Sequence, residues 1–503
     1  MKRFWKLLSL ALLSMVILTP ALAKKASGPT ELIVVQQTDA KSLDPTGSND
    51  VYSHNLNLNI YDRLFDWSPE MKVEPSLAES YTQIDALTLE VKIKKGVKFH
   101  NGDELTAEDV KFTLERAAKQ PQVITYFSPI TSVDILDPYT IRITTAKPYG
   151  PLINALAHAG GSIVNKKYVT ADEKKAFFEP VGTGPFKFES WQSGDRIVLA
   201  ANKDYFKGAP GVDKIVYRVI PESVNRAIAL ETKEVDVVLV VDPVDAPQVK
   251  ARDYIKVYEL PALSMTYLGF NCEKAPLNDV RVRQAVVYAI NLPDIVDTAF
   301  LKAAVPANSA VPQGVMGFNK SLQAPVRDVE KSKALLAEAG IKDRLKLKLW
   351  INENKSREDS AVIMQAQLAE VGIDVEIEKL EWGAYLDKLG RGEHDLFILG
   401  WSTSPDPNEA MDALFNSKNK GHAGNRSFYG NPRVDELLDK GQEVTDPAVR
   451  IPMYEEAQEI VCREAAVLPM VNPYSIVAVQ DYVEGFEMNP RSMYFMRNVK
   501  KNK

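Results

Sequence analysis

KALLAEAGI at 333–341 followed by LKLKL at 345–349, and VIMQAQLAEVGI at 362–373 followed by VEIE at 375–378, are one pattern written twice. In each, a helix is predicted to stop at a glycine, Gly340 or Gly372, which takes the left-handed geometry past a helix end without a side-chain clash. A strand begins immediately afterwards. Two successive helix–strand units predict an α/β lobe built on a mixed or parallel sheet. Outward from them the alternation continues. LIVV at 32–35 reads as a short apolar strand, and 55–65 as a helix. Leu87, Leu89, Val91 and Ile93 recur with a period of two, which predicts a half-buried strand, and Asn101-Gly102 marks a turn. Thr106 stands three residues before Asp109, a near capping box for a helix whose buried stripe is Val110, Leu114, Ala117 and Ala118. Further helix is expected within 442–470, and strand again over 471–479. No low-complexity linker divides the chain, so its domains are expected to interleave.

The 503 residues are 45% apolar and 25% charged, which excludes disordered, collagen-like and coiled-coil classes. The length suggests about three domains. Lys and Arg number 61 against 67 Asp and Glu; without a basic excess the chain is a poor match to a phosphate backbone, so no nucleic-acid partner is expected. Lys2, Arg3 and Lys6 precede the apolar run 7–18 and then Ala21-Leu22-Ala23, the layout of a cleaved signal peptide over 1–23, with export to a periplasm. The apolar run is shorter than the ~20 residues a bilayer needs. Lys24 stands where a lipoprotein would carry cysteine. Cys272 and Cys462 are the two thiols; an oxidising compartment permits their pairing, and two buried small apolar residues are the equal alternative.

Enzymatic constellations are missing. Gly182-Thr-Gly184 starts like a dinucleotide fingerprint, but Lys187 occupies the third glycine position, so it reads as a turn. Ser417 and Lys420 have serine-acylase spacing without the companion motifs. The five histidines, at 54, 100, 158, 394 and 422, are scattered singly; His422, in a Gly-rich loop after Lys418 and Lys420, is the one kept as a metal-chelate candidate.

The motifs SLDP (42–45), NIYDRL (59–64), PSLAES (75–80), GVKFH (96–100), LTAEDV (105–110), PVGTGPF (180–186), NDVRVRQA (278–285), EWGAY (381–385), GEHD (392–395) and GWSTS (400–404) occur in this order. With them the chain resembles the family-5 extracellular solute-binding proteins of ABC importers, the dipeptide, oligopeptide, glutathione and nickel group, from about 32 to about 479. The resemblance implies a periplasmic-binding-protein-like, two-lobed α/β fold (type II, cluster C-like) with a hinge and an inserted domain. Lobe I would comprise 24–46, 176–265 and 476–503, the inserted domain 47–175, and the other lobe 266–475. Hinge crossings are expected near 266–271 and 472–477. It also implies binding without chemistry, no cofactor, a monomer, and delivery of a short peptide or peptide-like solute to an inner-membrane ABC permease. A nickel-type metal chelate or an opine-like solute is the alternative ligand. A secreted peptide hydrolase is the alternative from another class.

The candidate site starts at the apolar run 396–399, read as a buried strand that delivers Trp401 as a ligand wall and Ser402, Thr403 and Ser404 as hydroxyls. The alternative is a core tryptophan and a serine-rich turn capping the next helix. In dipeptide-binding relatives an aspartate in this loop pairs with the ligand amine. Ser404 occupies that position here, leaving Asp406 or neutral groups for the role. Arg357 is the candidate for the ligand carboxylate, a planar bidentate match, or else a solvated surface arginine. Asn49, Asp50, Tyr52 and Ser53 match a loop that faces the cleft in relatives, or form a helix cap. Asn425, Arg426 and Tyr429 complete the set on a later loop.

Overall fold

The computed structural model describes residues 30–421 and 424–502. The signal-peptide reading of 1–23 and the reading of His422 fall outside them. The two helix–strand units form as expected. Val329–Glu338 leads into the strand Leu345–Asn352, and Lys355–Glu370 into Ile373–Leu380. Gly340 and Gly372 sit at φ 80° and 88° between them. The two strands pair in parallel, Leu345 opposite Ile373 through Asn352 opposite Leu380. Leu347, Leu349, Leu368 and Ile373 are buried in one apolar core.

This pair is one end of a twelve-stranded mixed sheet. From it the sheet runs through Leu396–Ser402, Ser264–Phe270 and the long Val467–Gln480 strand to Val237–Val238, Glu31–Gln36, Lys214–Val219, Arg196–Ala201 and Phe186–Gln192. Val467–Gln480 changes partners along its length. Residues 467–471 pair with Ser264–Phe270, and 474–480 with Ile255–Pro261. Both chain passages therefore carry the sheet from one core to the next, with the changeover at 261–264 and 471–474. The second core gathers around Glu31–Gln36, with Leu32, Val34, Leu199, Ile215 and Val477. A third lies under a separate antiparallel sheet ordered Ala78–Gln83, Thr88–Ile93, Thr140–Thr145, Ile130–Asp137. There Leu89, Val91 and Ile93 face the helix Ala107–Ala117 through Val110 and Leu114. That helix starts as its sequence predicts: the Thr106 N–H donates to the Asp109 carboxylate at 3.0 Å.

Two boundaries differ from expectation. The first helix is Val51–Ile60, not 55–65, because Asp50 caps it by accepting from the N–H groups of Tyr52 and Ser53. The strand expected over 471–479 starts earlier, at Val467, because the helix within 442–470 ends at Arg463 and Ala465 at φ 47° turns the chain there. Gly182 is a packing glycine as well as a turn: a Cβ there would lie 2.0 Å from the Ile60 carbonyl oxygen. The Ser417 hydroxyl donates to Asp435 at 2.5 Å, while Lys420 pairs with Glu273, so the two form no dyad. Cys272 and Cys462 are both free thiols, with burial pushing them up to about 11 and about 12. Among the described residues no helix is long and apolar enough to cross a membrane.

Candidate functional site

A cavity of about 280 Å³ lies where the three cores meet. The cap that sets the start of Val51–Ile60 also sets one wall, presenting Asn49, Asp50 and Tyr52. The Asp50 carboxylate accepts the Ser53 hydroxyl at 2.7 Å, which turns Ser53 away from the cavity lining and makes it a brace. Asn49 donates from Nδ2 to the Tyr126 hydroxyl at 3.2 Å. The Tyr126 ring stacks on His158 at 4.0 Å, and His158 meets His54 edge-on at 5.2 Å. His158 Nδ1 accepts the Gly160 N–H at 3.0 Å, so in the neutral ring the proton is on Nε2. Burial drives His158 well below the ordinary imidazole range and His54 down to about 4, so both rings are uncharged at neutral pH.

The facing wall is delivered by Leu396–Ser402, whose Leu396, Phe397 and Ile398 are fully buried. At its exit Trp401 is both things the sequence allowed: part of a core with Tyr267, Trp382 and Met411, and a lining residue of the cavity. Ser402 also lines it, its hydroxyl donating to the Arg491 carbonyl at 3.0 Å. Arg357 enters from the first turn of Lys355–Glu370. A Cβ on Gly400 would come within 3.1 Å of its Nη2, so the glycine makes room for the guanidinium. The Arg357 side chain donates to Asn352 Oδ1 at 2.5 Å and forms no ion pair among the described residues. Arg426 is 5% exposed, and its side chain makes neither a hydrogen bond nor an ion pair among the described residues. Burial lowers its pKa from the usual guanidinium value.

Six expected residues do not line the cavity. Thr403 is fully buried, its N–H donating to the Leu263 carbonyl at 2.8 Å. Ser404 is fully buried and accepts the Asp406 N–H. Asp406 is held behind the loop by Arg450 in a bidentate pair of 2.8 and 2.9 Å, so it is not available to take over the amine-binding role. Asn425 braces its loop, exchanging hydrogen bonds with the Tyr429 backbone, and Tyr429 itself donates to Glu464 at 2.7 Å. Ser53 is the sixth.

The structure adds residues that spacing did not single out: Gln36, His54, Tyr126, His158, Asp242, Trp382, Glu409 and Tyr494. Trp382 was within reach, since it belongs to the EWGAY motif. Glu409 sits in the first turn of Asn408–Phe415, just past the serine-rich loop, and pairs with Arg491; burial raises its pKa. Unpartnered buried polar atoms gather here: the Gln36 amide, both His54 nitrogens, Nε1 of Trp382 and Trp401, and Nε of Arg426. Buried polar groups are ordinarily satisfied, and such a concentration around one cavity marks it as a place for a polar guest. The two walls touch beside it. Tyr52 meets Trp382 edge-on at 5.7 Å, Lys41 pairs with Asp387, and Gln37 donates to the Glu353 carbonyl.

The family model for bacterial extracellular solute-binding proteins, family 5, middle, matches residues 72–422. The chain belongs to this family. Family-5 relatives at full length include the glutathione-binding protein GsiB of Escherichia coli (strain K12), 30% identical over 492 residues that cover 95% of this chain and 96% of that protein. Among solved structures, the ABC transporter-associated periplasmic binding protein DppA from Helicobacter pylori, in complex with the peptide STSA, matches with a TM-score of 0.89. It is 31% identical, covering 94% of this chain and 99% of that one. The oligopeptide-binding protein AppA from Bacillus subtilis, in complex with a nonapeptide, matches at TM-score 0.88 and 27% identity over 94% and 100%. The fold is thus the two-lobed α/β fold of type II periplasmic binding proteins.

Proposed function

We propose that this family-5 protein is the periplasmic receptor of an ABC importer, which captures a short peptide or peptide-like solute and delivers it intact to an inner-membrane permease. The observation that carries this is the cavity between the two touching walls, with two arginines that lack acidic partners and an aromatic lining from Tyr52, Trp382 and Trp401. The named ligands of GsiB, DppA and AppA, which are glutathione or peptides, support the same class. In this reading Arg357 takes a ligand carboxylate through a bidentate pair, with Trp401 and Ser402 beside it. Asn49, Asp50 and Tyr52 close over the solute from the other side. The lobes are 24–46 with 176–265 and 476–503, and 266–475, with 47–175 inserted. Closure turns on the partner changes at 261–264 and 471–474, because a ligand that touches both walls favours the closed population. Micromolar capture requires about −8 kcal/mol, within reach of charge-assisted pairs combined with aromatic burial. The exported chain works as a monomer after leader removal.

Calorimetric titration of the purified protein with glutathione, Ala-Ala and Ser-Thr-Ser-Ala tests the reading, alongside mass spectrometry of the recovered probe. Saturable binding of at least one, returned unaltered, is expected. Cleavage of any probe would favour a hydrolase, and binding of none would remove the peptide reading.

A further inference from the structure

The acidic and basic side chains that face the cleft are not equivalent. Its three carboxylates are each already engaged. Asp242 pairs with Arg226 at 2.6 Å, Glu409 pairs with Arg491, and Asp50 accepts two helix N–H groups and the Ser53 hydroxyl. Its two guanidiniums, Arg357 and Arg426, have no acidic partner among the described residues. Both stand on the same wall, each close enough to act electrostatically on Tyr267 and Tyr385. A guanidinium cannot relieve itself by giving up its proton; Arg426 is buried without a partner among the described residues, which is costly, and the half-buried Arg357 has only the neutral Asn352 amide oxygen, so the fold holds two positive charges ready for anions.

We propose that the solute recognised here carries two acid groups, one received by Arg357 and one by Arg426, and that a ligand with a single carboxylate is discriminated against. The inference rests on the cavity being the ligand site, and it narrows the peptide class to acidic members: a peptide with a side-chain carboxylate, or a γ-linked one with two free α-carboxylates. An ordinary zwitterionic dipeptide would leave one guanidinium without an anion. It would also offer its amine to carboxylates that already have partners.

Glutathione and two single-acid analogues test this by calorimetry: its glycine ethyl ester, and 4-aminobutyryl-Cys-Gly, which lacks the glutamyl α-carboxylate but keeps the amine. Each analogue is expected to bind at least tenfold more weakly than glutathione. The penalty for one should vanish in R357Q, and the penalty for the other in R426Q. An analogue binding as tightly as glutathione overturns the inference, and so do variants that weaken both analogues alike. Circular dichroism checks the fold of each variant. R426K keeps the charge and should keep the discrimination; its loss there would contradict a charge-based origin. Should glutathione and both analogues fail to bind, native mass spectrometry of the solute retained through purification separates the two claims. A non-peptide with two acid groups overturns the peptide reading and sustains this one, whereas any solute with fewer than two overturns this one.

Discussion

Arg450 and Arg426 are 4% and 5% exposed, and the chain treats them in opposite ways. Arg450 is met by both oxygens of Asp406 and by the Gly441 carbonyl, and these partners raise its pKa. Arg426, on the loop before the helix Pro432–Glu443, has no side-chain partner among the described residues, and burial lowers its pKa. A paired buried charge is a fixed strut, whereas an unpaired one in a cavity wall is an invitation. The difference separates architecture from function, although both are single arginines that sequence alone does not tell apart.

Removing the partner from the strut should have the largest effect. Asp406→Asn leaves Arg450 buried and uncompensated, and breaking a buried pair in this way costs about 3–5 kcal/mol; urea denaturation reads it. Acid offers a second test, because a buried histidine can do what Arg426 cannot and remain neutral. Burial holds His54 and His100 at about 4, below the unfolded value of about 6.5. The unfolded chain therefore binds more protons between those values, and stability falls as pH drops from about 6.5 toward 4. Melting scans at pH 7 and 4.5 should show the fall, and His54→Asn should reduce it by on the order of 2 kcal/mol.

The bare guanidinium should behave in the reverse sense to the strut. Arg426→Met is expected to stabilise the ligand-free protein by about 1–3 kcal/mol, since an unsatisfied buried polar group is removed, while binding weakens. A loss of stability would mean that Arg426 is structural after all. The smallest effect is at the rim. Tyr52→Phe removes the hydrogen bond from its hydroxyl to Gln37 Oε1, 3.1 Å long, and should weaken binding by about 1 kcal/mol, as read by calorimetry.

The sequence reading went furthest where the signal is local. Gly340 and Gly372 punctuate the helix–strand units without any tertiary information, and Thr106 with Asp109 marks a helix start. Trp401, Arg357, Arg426, Asn49, Asp50 and Tyr52 line the cavity. Asp406 does not, because its fate is decided by Arg450, 44 residues later in the chain, and no local spacing announces that pair. Tyr126 and His158 escaped for the same reason: each is brought to the cleft by packing between elements far apart in sequence. His54 adds another lesson, since a lone histidine inside a helix carries no mark that its ring will stand at a cavity wall.

The central claim is that the cleft's two guanidiniums, which have no acidic partner among the described residues, exist for a ligand. Calorimetric titration of glutathione into the wild-type protein, Arg357→Gln and Arg426→Met tests it most directly. Micromolar binding in the first and at least tenfold weaker binding in each variant is the expected result. Equal affinity in all three proteins would contradict it.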